Sequence, residues 1–137
     1  MRRTIAAMGY FTLVGCSAFR SLTGAPPVYA VFFDDRNVML STDARAIVDD
    51  AARDWKAHPL MYVELAGPSR KGANGYDPTI AEARMHIVEQ TLVSDGVPDD
   101  RQFRTEPSPD SLKADKTGRQ RVEIRMVDAK PASLLTP

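Results

Sequence analysis

Few side chains in this sequence could do chemistry, and their spacing argues against catalysis. There are one cysteine, Cys16, and two histidines, His58 and His86. The histidines fall on different expected elements, and neither has a second His or Cys at metal-ligand spacing. Asp34-Asp35, Asp49-Asp50 and Asp99-Asp100 are acidic pairs. Adjacent residues point apart on a strand or helix, so these suit solvated turns and faces better than acid–base dyads. Gly72-x-x-Gly75 lacks the Lys-Ser/Thr that would follow in a phosphate loop. The expectation is a protein that is not an enzyme and needs neither cofactor nor metal. Cys16 remains, because a thiol can be made into a good nucleophile for alkylation.

The residues around Cys16 give that thiol a context. Arg2 and Arg3 form a short basic start, and Thr4 to Val14 carry no charge and are mostly apolar. That run has the length of a secretion signal's apolar region and is short for a bilayer span. Leu13-Val14-Gly15-Cys16 follows at once. The pattern resembles the lipobox of bacterial lipoproteins. The resemblance implies a diacylglyceryl group on Cys16, cleavage of residues 1–15, and usually acylation of the new α-amine. Several acyl chains hold a protein firmly where one holds it only marginally. By the sorting pattern of that family, Ser17 after the cysteine is an outer-membrane address, with the domain facing the periplasm. A plain secretory signal, or a single membrane anchor with an incidental cysteine, is the alternative reading of the same residues.

The rest of the chain must position whatever site it carries. A length of 137 residues suits one domain and not two. With 43% hydrophobic and 26% charged residues, it can bury a core without disulfides. The formal net charge is zero, which gives no footprint for nucleic acid. Removing Arg2 and Arg3 with the signal turns 18 basic residues into 16, against 18 acidic ones, a formal charge of −2. Residues 16–27 then read as lipidated cysteine plus a Ser, Gly, Ala and Pro-rich tether.

Val28 to Phe33 is β-branched and aromatic and reads as a buried strand. Ser41 or Thr42 is a plausible N-cap, and Asp43 favours a first helical turn. Ala44, Ile47, Val48, Ala51 and Trp55 recur at helical spacing, so a helix is expected over Thr42 to Ala57, stopped by His58-Pro59. Leu60 to Ala66 is a second strand. Asp77-Pro78 opens a second helix that ends near Ser94 to Gly96. Arg101 to Thr105 is a short third strand, and Pro107 to Gly118 an exposed loop. Arg119 to Val127 alternates, with Val122, Ile124 and Met126 on one face and Arg121, Glu123 and Arg125 on the other. Residues 128–137 read as a frayed tail. The order β-α-β-α-β-β predicts an α/β (α+β) two-layer sandwich over residues 28–127, with both helices on one face of a mixed sheet.

Four segments in this order resemble the OmpA-like, peptidoglycan-associated domain family, and the resemblance runs from Tyr29 to Val127. They are Val31-Phe32-Phe33-Asp34 with Leu40, Ala44 and Ile47; Tyr76 to Arg84, against the family's Tyr-Asn-x-x-Leu-Ser-x-x-Arg; Val93 to Pro98; and Arg121-Val122-Glu123-Ile124, against the end of Asn-Arg-Arg-Val-Glu-Ile. The resemblance implies non-covalent binding of the peptidoglycan stem peptide. The diaminopimelate side chain of that stem offers a carboxylate and an ammonium. An arginine fork and a helix N-terminus suit the carboxylate, and an acid suits the ammonium.

Carried over residue by residue, Arg84 takes the helix-2 arginine position, and Arg121 is a plausible neighbour from the last strand. An ordinary surface or structural arginine is the alternative for each. The family's loop Gly-x-Thr-Asp reads here Gly67-Pro68-Ser69-Arg70, so a base at Arg70 replaces the acid that grips the ligand, with Ser69 beside it. The family's Asn is Asp77, which could take the cation or simply cap the helix. Arg119 and Gln120 replace an Asn and an Arg. Two functions stay open. One is a tether between outer membrane and cell wall. The other is a degenerate domain of the same fold that contacts an envelope protein partner.

Overall fold

The computed structural model describes residues 26–67, 77–106 and 120–134. Cys16, Ser69 and Arg70 lie outside these residues, as do most of the two long loops expected around 67–76 and 107–118. Four strands and two helices follow in the order β1 (Val28–Phe32), α1 (Thr42–Ala57), β2 (Tyr62–Ala66), α2 (Pro78–Ser94), β3 (Gln102–Thr105) and β4 (Arg121–Val127). The sheet order is β1-β4-β2-β3. β4 runs antiparallel to both β1 and β2, and β2 runs parallel to β3 across the α2 crossover. The last strand in sequence is therefore inserted between the first two. This is the expected two-layer α/β sandwich with a mixed sheet.

Each helix forms for local reasons. The Ser41 hydroxyl accepts the Ala44 N–H (3.2 Å) and caps α1. His58 ends it, its N–H donating to the Trp55 carbonyl, and Pro59 cannot continue the ladder. The α2 helix begins at Pro78, where a missing N–H costs nothing. It ends in a Schellman turn: the Gly96 N–H donates to Val93 O (3.0 Å) and the Val97 N–H to Leu92 O (2.9 Å). Gly96 takes φ +96, a conformation costly for any residue with a Cβ.

The core is one layer between sheet and helices. Val31, Val63, Leu65, Val122, Ile124 and Met126 face Ala44, Val48, Ala51 and Trp55 of α1 and Met85, Val88 and Leu92 of α2. Each buried Val, Leu, Ile or Met among them stabilises the fold by roughly 1.5–3 kcal/mol relative to exposure, before entropy is counted. Among the described residues, the buried core runs from Val31 to Met126.

Four boundaries differ from the sequence expectation, the first being the end of β1 at Phe32 rather than Phe33. β2 starts at Tyr62 rather than Leu60, because the Met61 N–H turns back to His58 O (3.0 Å) and Met61 O accepts the Trp55 indole N–H (2.9 Å). Leu60 is left 82% exposed. β3 starts at Gln102, since Asp99–Arg101 form a 3₁₀ turn. β4 starts at Arg121, not Arg119. Beyond β4, Ala132–Leu134 form another 3₁₀ turn within the expected frayed tail.

Candidate functional site

The buried residues of α2 are Arg84, Met85, Val88 and Leu92. Arg84, Val88 and Leu92 are spaced four apart, so a cation occupies a position of the helix's apolar stripe. Arg84 is only 5% exposed. Its guanidinium lies over the Phe33 ring, 5.1 Å from the centroid, at the end of β1. Nε donates to Asn37 O (2.8 Å) and Nη2 to Asp34 O (2.9 Å). Burial lowers the Arg84 pKa, and the nearby Asp35 charge works against that. An arginine nevertheless stays charged at physiological pH. Among the described residues no carboxylate forms an ion pair with Arg84, and Nη1 makes no hydrogen bond.

The loop between β1 and α1 is folded tightly around this cation. The Asn37 N–H donates to Asp34 O (3.0 Å), closing a turn over Asp35 and Arg36. Arg36 takes φ 55, a left-handed conformation that a non-glycine residue adopts at a cost of roughly 1–2 kcal/mol. The Asn37 side-chain oxygen accepts the Met39 N–H (2.9 Å), extending the fold of the loop. Asp34 O therefore accepts two bonds, one from the loop itself and one from Arg84. The far wall comes from the residue before β4: the Phe33 N–H donates to Gln120 O (2.8 Å), and Gln120 Nε2 donates to Asp35 Oδ1 (2.9 Å).

Arg121 does not join Arg84. Val122, Ile124 and Met126 point to the helices, so Arg121, Glu123 and Arg125 line the opposite face of the sheet. There Arg121 Nε donates to Glu123 Oε1 (2.8 Å), and Arg125 Nη2 donates to Glu123 Oε2 (2.7 Å). Glu123 is 7% exposed, with an arginine on each side. Asp77 caps α2: its Oδ1 accepts the N–H groups of Thr79 (3.0 Å) and Ile80 (3.3 Å). Of the expected site residues that are described (Arg84, Asp77 and Arg121), only Arg84 lies between α2 and the β1–α1 loop.

Sequence reasoning passed over Asp35 and Gln120 as members of this cluster. Asp34-Asp35 reads as a solvated turn, and Gln120 as a mere departure from the Arg-Arg-Val pattern. The β1–β4 register, Phe32 opposite Arg121, is what brings Gln120 to the loop. No local signal encodes that pairing. His86 is exposed on α2, and His58 Nδ1 sits 3.4 Å from Asp54 Oδ1 at the end of α1, so the histidines stay apart. Among the described residues no three His, Cys, Asp or Glu side chains gather as a metal site would require.

Two helices packed on one face of a sheet ordered β1-β4-β2-β3 make this an OmpA-like domain in fold. The chain is similar to the peptidoglycan-associated lipoprotein of Burkholderia pseudomallei, with 20% identity over 72% of this chain and 90% of that one, at a TM-score of 0.58. It is also similar to the OmpA-like domain of FopA1 from Francisella tularensis (16% identity, 92% of this chain and 100% of that one, TM-score 0.58). The periplasmic domain of Helicobacter pylori MotB is a third neighbour (15% identity, 82% and 83%, TM-score 0.53). No protein-family model and no curated protein sequence matches the chain.

Proposed function

We propose that this protein is a non-catalytic module of the bacterial envelope that binds the peptide stem of peptidoglycan through Arg84. The observation that carries the reading is the state of Arg84. It is a buried cation at a core position, paired with no carboxylate among the described residues, and Nη1 makes no hydrogen bond to any of them. Burying a charge is costly unless it is compensated. A ligand carboxylate would complete the compensation that two main-chain carbonyls begin. The likeness in fold to a peptidoglycan-associated lipoprotein supports the same ligand class.

In this reading Cys16 carries lipid, residues 17–27 span from membrane to domain, and the domain faces the periplasm. Lipid at one end and wall at the other would couple outer membrane and cell wall mechanically. Asp77, committed to capping α2, and Arg121, committed to Glu123, contribute little to the ligand. Ser69 and Arg70, which lie outside the described residues, are the further contacts this reading assigns, with the Arg70 charge suited to a carboxylate.

A second reading rests on a different observation. Two of the three Arg84 nitrogens already hold the β1–α1 loop. On that account Arg84 is architectural, and the domain is an interaction module for an envelope protein. A fold can persist after its site has gone.

Co-sedimentation of residues 17–137 with purified diaminopimelate-type peptidoglycan separates the two. Saturable binding by the wild type, lost in Arg84→Ala and Arg84→Met while both variants stay folded by circular dichroism, is the expected result. A folded wild type that does not sediment with the wall retires the first reading in favour of the second. Metabolic labelling with palmitate, abolished by Cys16→Ser, tests the anchor separately.

A further inference from the structure

Leu60 is 82% exposed, although the turn that carries it is firmly held. The Met61 N–H donates to His58 O (3.0 Å), Met61 O accepts the Trp55 indole N–H (2.9 Å), and Leu60 O accepts from Arg101 Nη1 (3.2 Å). These bonds fix the position of an apolar side chain that water surrounds. Beside it Tyr62 has two cations over its ring: Arg101 Cζ lies 5.0 Å and Lys130 Nζ 5.3 Å from the centroid. Among the described residues neither cation forms an ion pair. The register places this group at a definite end of the sheet. Tyr62 pairs with Val127, and two residues along β4 Arg125 pairs with Val28, the first residue of β1 and itself 50% exposed. The chain therefore enters the domain at the Leu60 end, whereas Phe33 and Arg84 lie beyond the other end of β1.

We propose that this end of the domain rests on a phospholipid surface, with Leu60 dipping into the acyl boundary, the Tyr62 ring at headgroup level, and Arg101 and Lys130 on lipid phosphates. The proposal rests on the reading of Cys16 as the lipidated residue. Val28 follows Cys16 by twelve residues, a length of chain that spans at most about 40 Å. The anchor thereby confines the domain near the bilayer, where weak surface contacts suffice because their effective concentration is high. The Leu60 end is the one at which the tether joins. Its side chains are an interfacial combination: the leucine buries itself, the amphipathic ring sits at the boundary, and the long cations reach phosphate. Asp99, Asp100 and Asp128 are exposed within two residues of these cations, so the patch is not strongly basic. It suits an ethanolamine headgroup, which brings an ammonium with its phosphate. With this end on the lipid, Arg84 is held at the end turned away from the membrane.

Cys16 is the only cysteine of the chain, so residues 16–137 can be coupled through its thiol to a maleimide-bearing phospholipid. The host is a nanodisc of phosphatidylethanolamine with a minority of phosphatidylglycerol, and the coupling supplies the anchor chemically. Nitroxide-labelled headgroups in the disc then broaden the amide signals nearest to them. Broadening should be strongest at Leu60, Tyr62, Arg101 and Lys130, and weakest at Asn37 and Met39 of the β1–α1 loop. Leu60→Asp, a change at an exposed site with an unchanged melting temperature, should level the broadening across the domain. Lys130→Glu should reduce the contrast less. Equal broadening throughout the wild type, broadening greatest at Asn37 and Met39, or a pattern that Leu60→Asp leaves intact overturns the docking surface alone. A chain that takes up no palmitate in cells overturns the anchor reading itself, so the two failures are distinguishable.

Discussion

Arg45, in the first turn of α1, grips Asp95, the residue that closes α2, with both prongs of its guanidinium. Nη1 donates to Oδ2 at 2.7 Å and Nη2 to Oδ1 at 2.7 Å. The pair ties the start of one helix to the end of the other. The planar fork matches the carboxylate in a way that a lysine cannot.

Hydrogen bonding from Arg45 holds the Asp95 carboxyl below its usual range. A carboxylate with a depressed folded pKa contributes stability above its unfolded pKa, near 4, and loses it as pH falls through the folded value. Asp95 is 17% exposed and Arg45 41%, so solvent screens part of the gain. Asp95→Asn should cost about 1 kcal/mol at pH 7. The difference from wild type should shrink steadily below pH 4, as read from urea midpoints at both ends of that range.

Tyr29 lies on the inner face of β1 and donates its hydroxyl to Asp54 Oδ2 of α1 at 3.1 Å. Burial first, and the Asp54 charge second, push the phenol up to about 12. The folded state therefore favours the protonated phenol. That contribution is complete below about pH 10 and is lost as pH rises from there to about 12. Ultraviolet titration should show a late phenolate that Tyr29→Phe removes. The variant should also lose less stability than wild type over that alkaline interval.

Arg84 holds the β1–α1 loop whatever it binds. Arg84→Met keeps an apolar stem against Phe33 and removes both donors to Asp34 O and Asn37 O. A loss of about 1–3 kcal/mol of loop stabilisation follows. Amide hydrogen exchange at Asn37 and Met39, whose N–H groups close the loop, should accelerate. Exchange at the core strand amides of Val63 and Leu65 should change far less. Uniform acceleration at every amide would instead mean that Arg84 supports the whole domain.

Much of the fold was legible because its determinants are local. Ser41, Asp43 and the spacing of Ala44, Ile47, Val48, Ala51 and Trp55 mark α1, and its observed bounds, Thr42–Ala57, are those the sequence predicts. The Asp77-Pro78 start and the Gly96 stop do the same for α2. Strand ends were less legible. Leu60 and Met61 have strand composition, but a bond from the Trp55 indole to Met61 O belongs to packing, not to pattern.

The candidate site shows where that legibility ends. The sequence by itself marked Arg84 through the match of Tyr76 to Arg84 with the OmpA-like pattern, and the alternation of β4 marked Arg121 as facing away from Val122. A period of two or of 3.6 reports which face of its own element a residue occupies, and this is set by backbone geometry within a few residues. It does not report which element lies opposite. Only the tertiary structure decided that the helices cover the Val122 face, so that Arg84 and Arg121 lie on opposite sides of the sheet. Only the insertion of β4 between β1 and β2 brought Gln120 to Asp35, 85 residues away in the chain. Long-range pairing follows from the summed fit of a whole buried layer, and no single segment of the sequence encodes that sum.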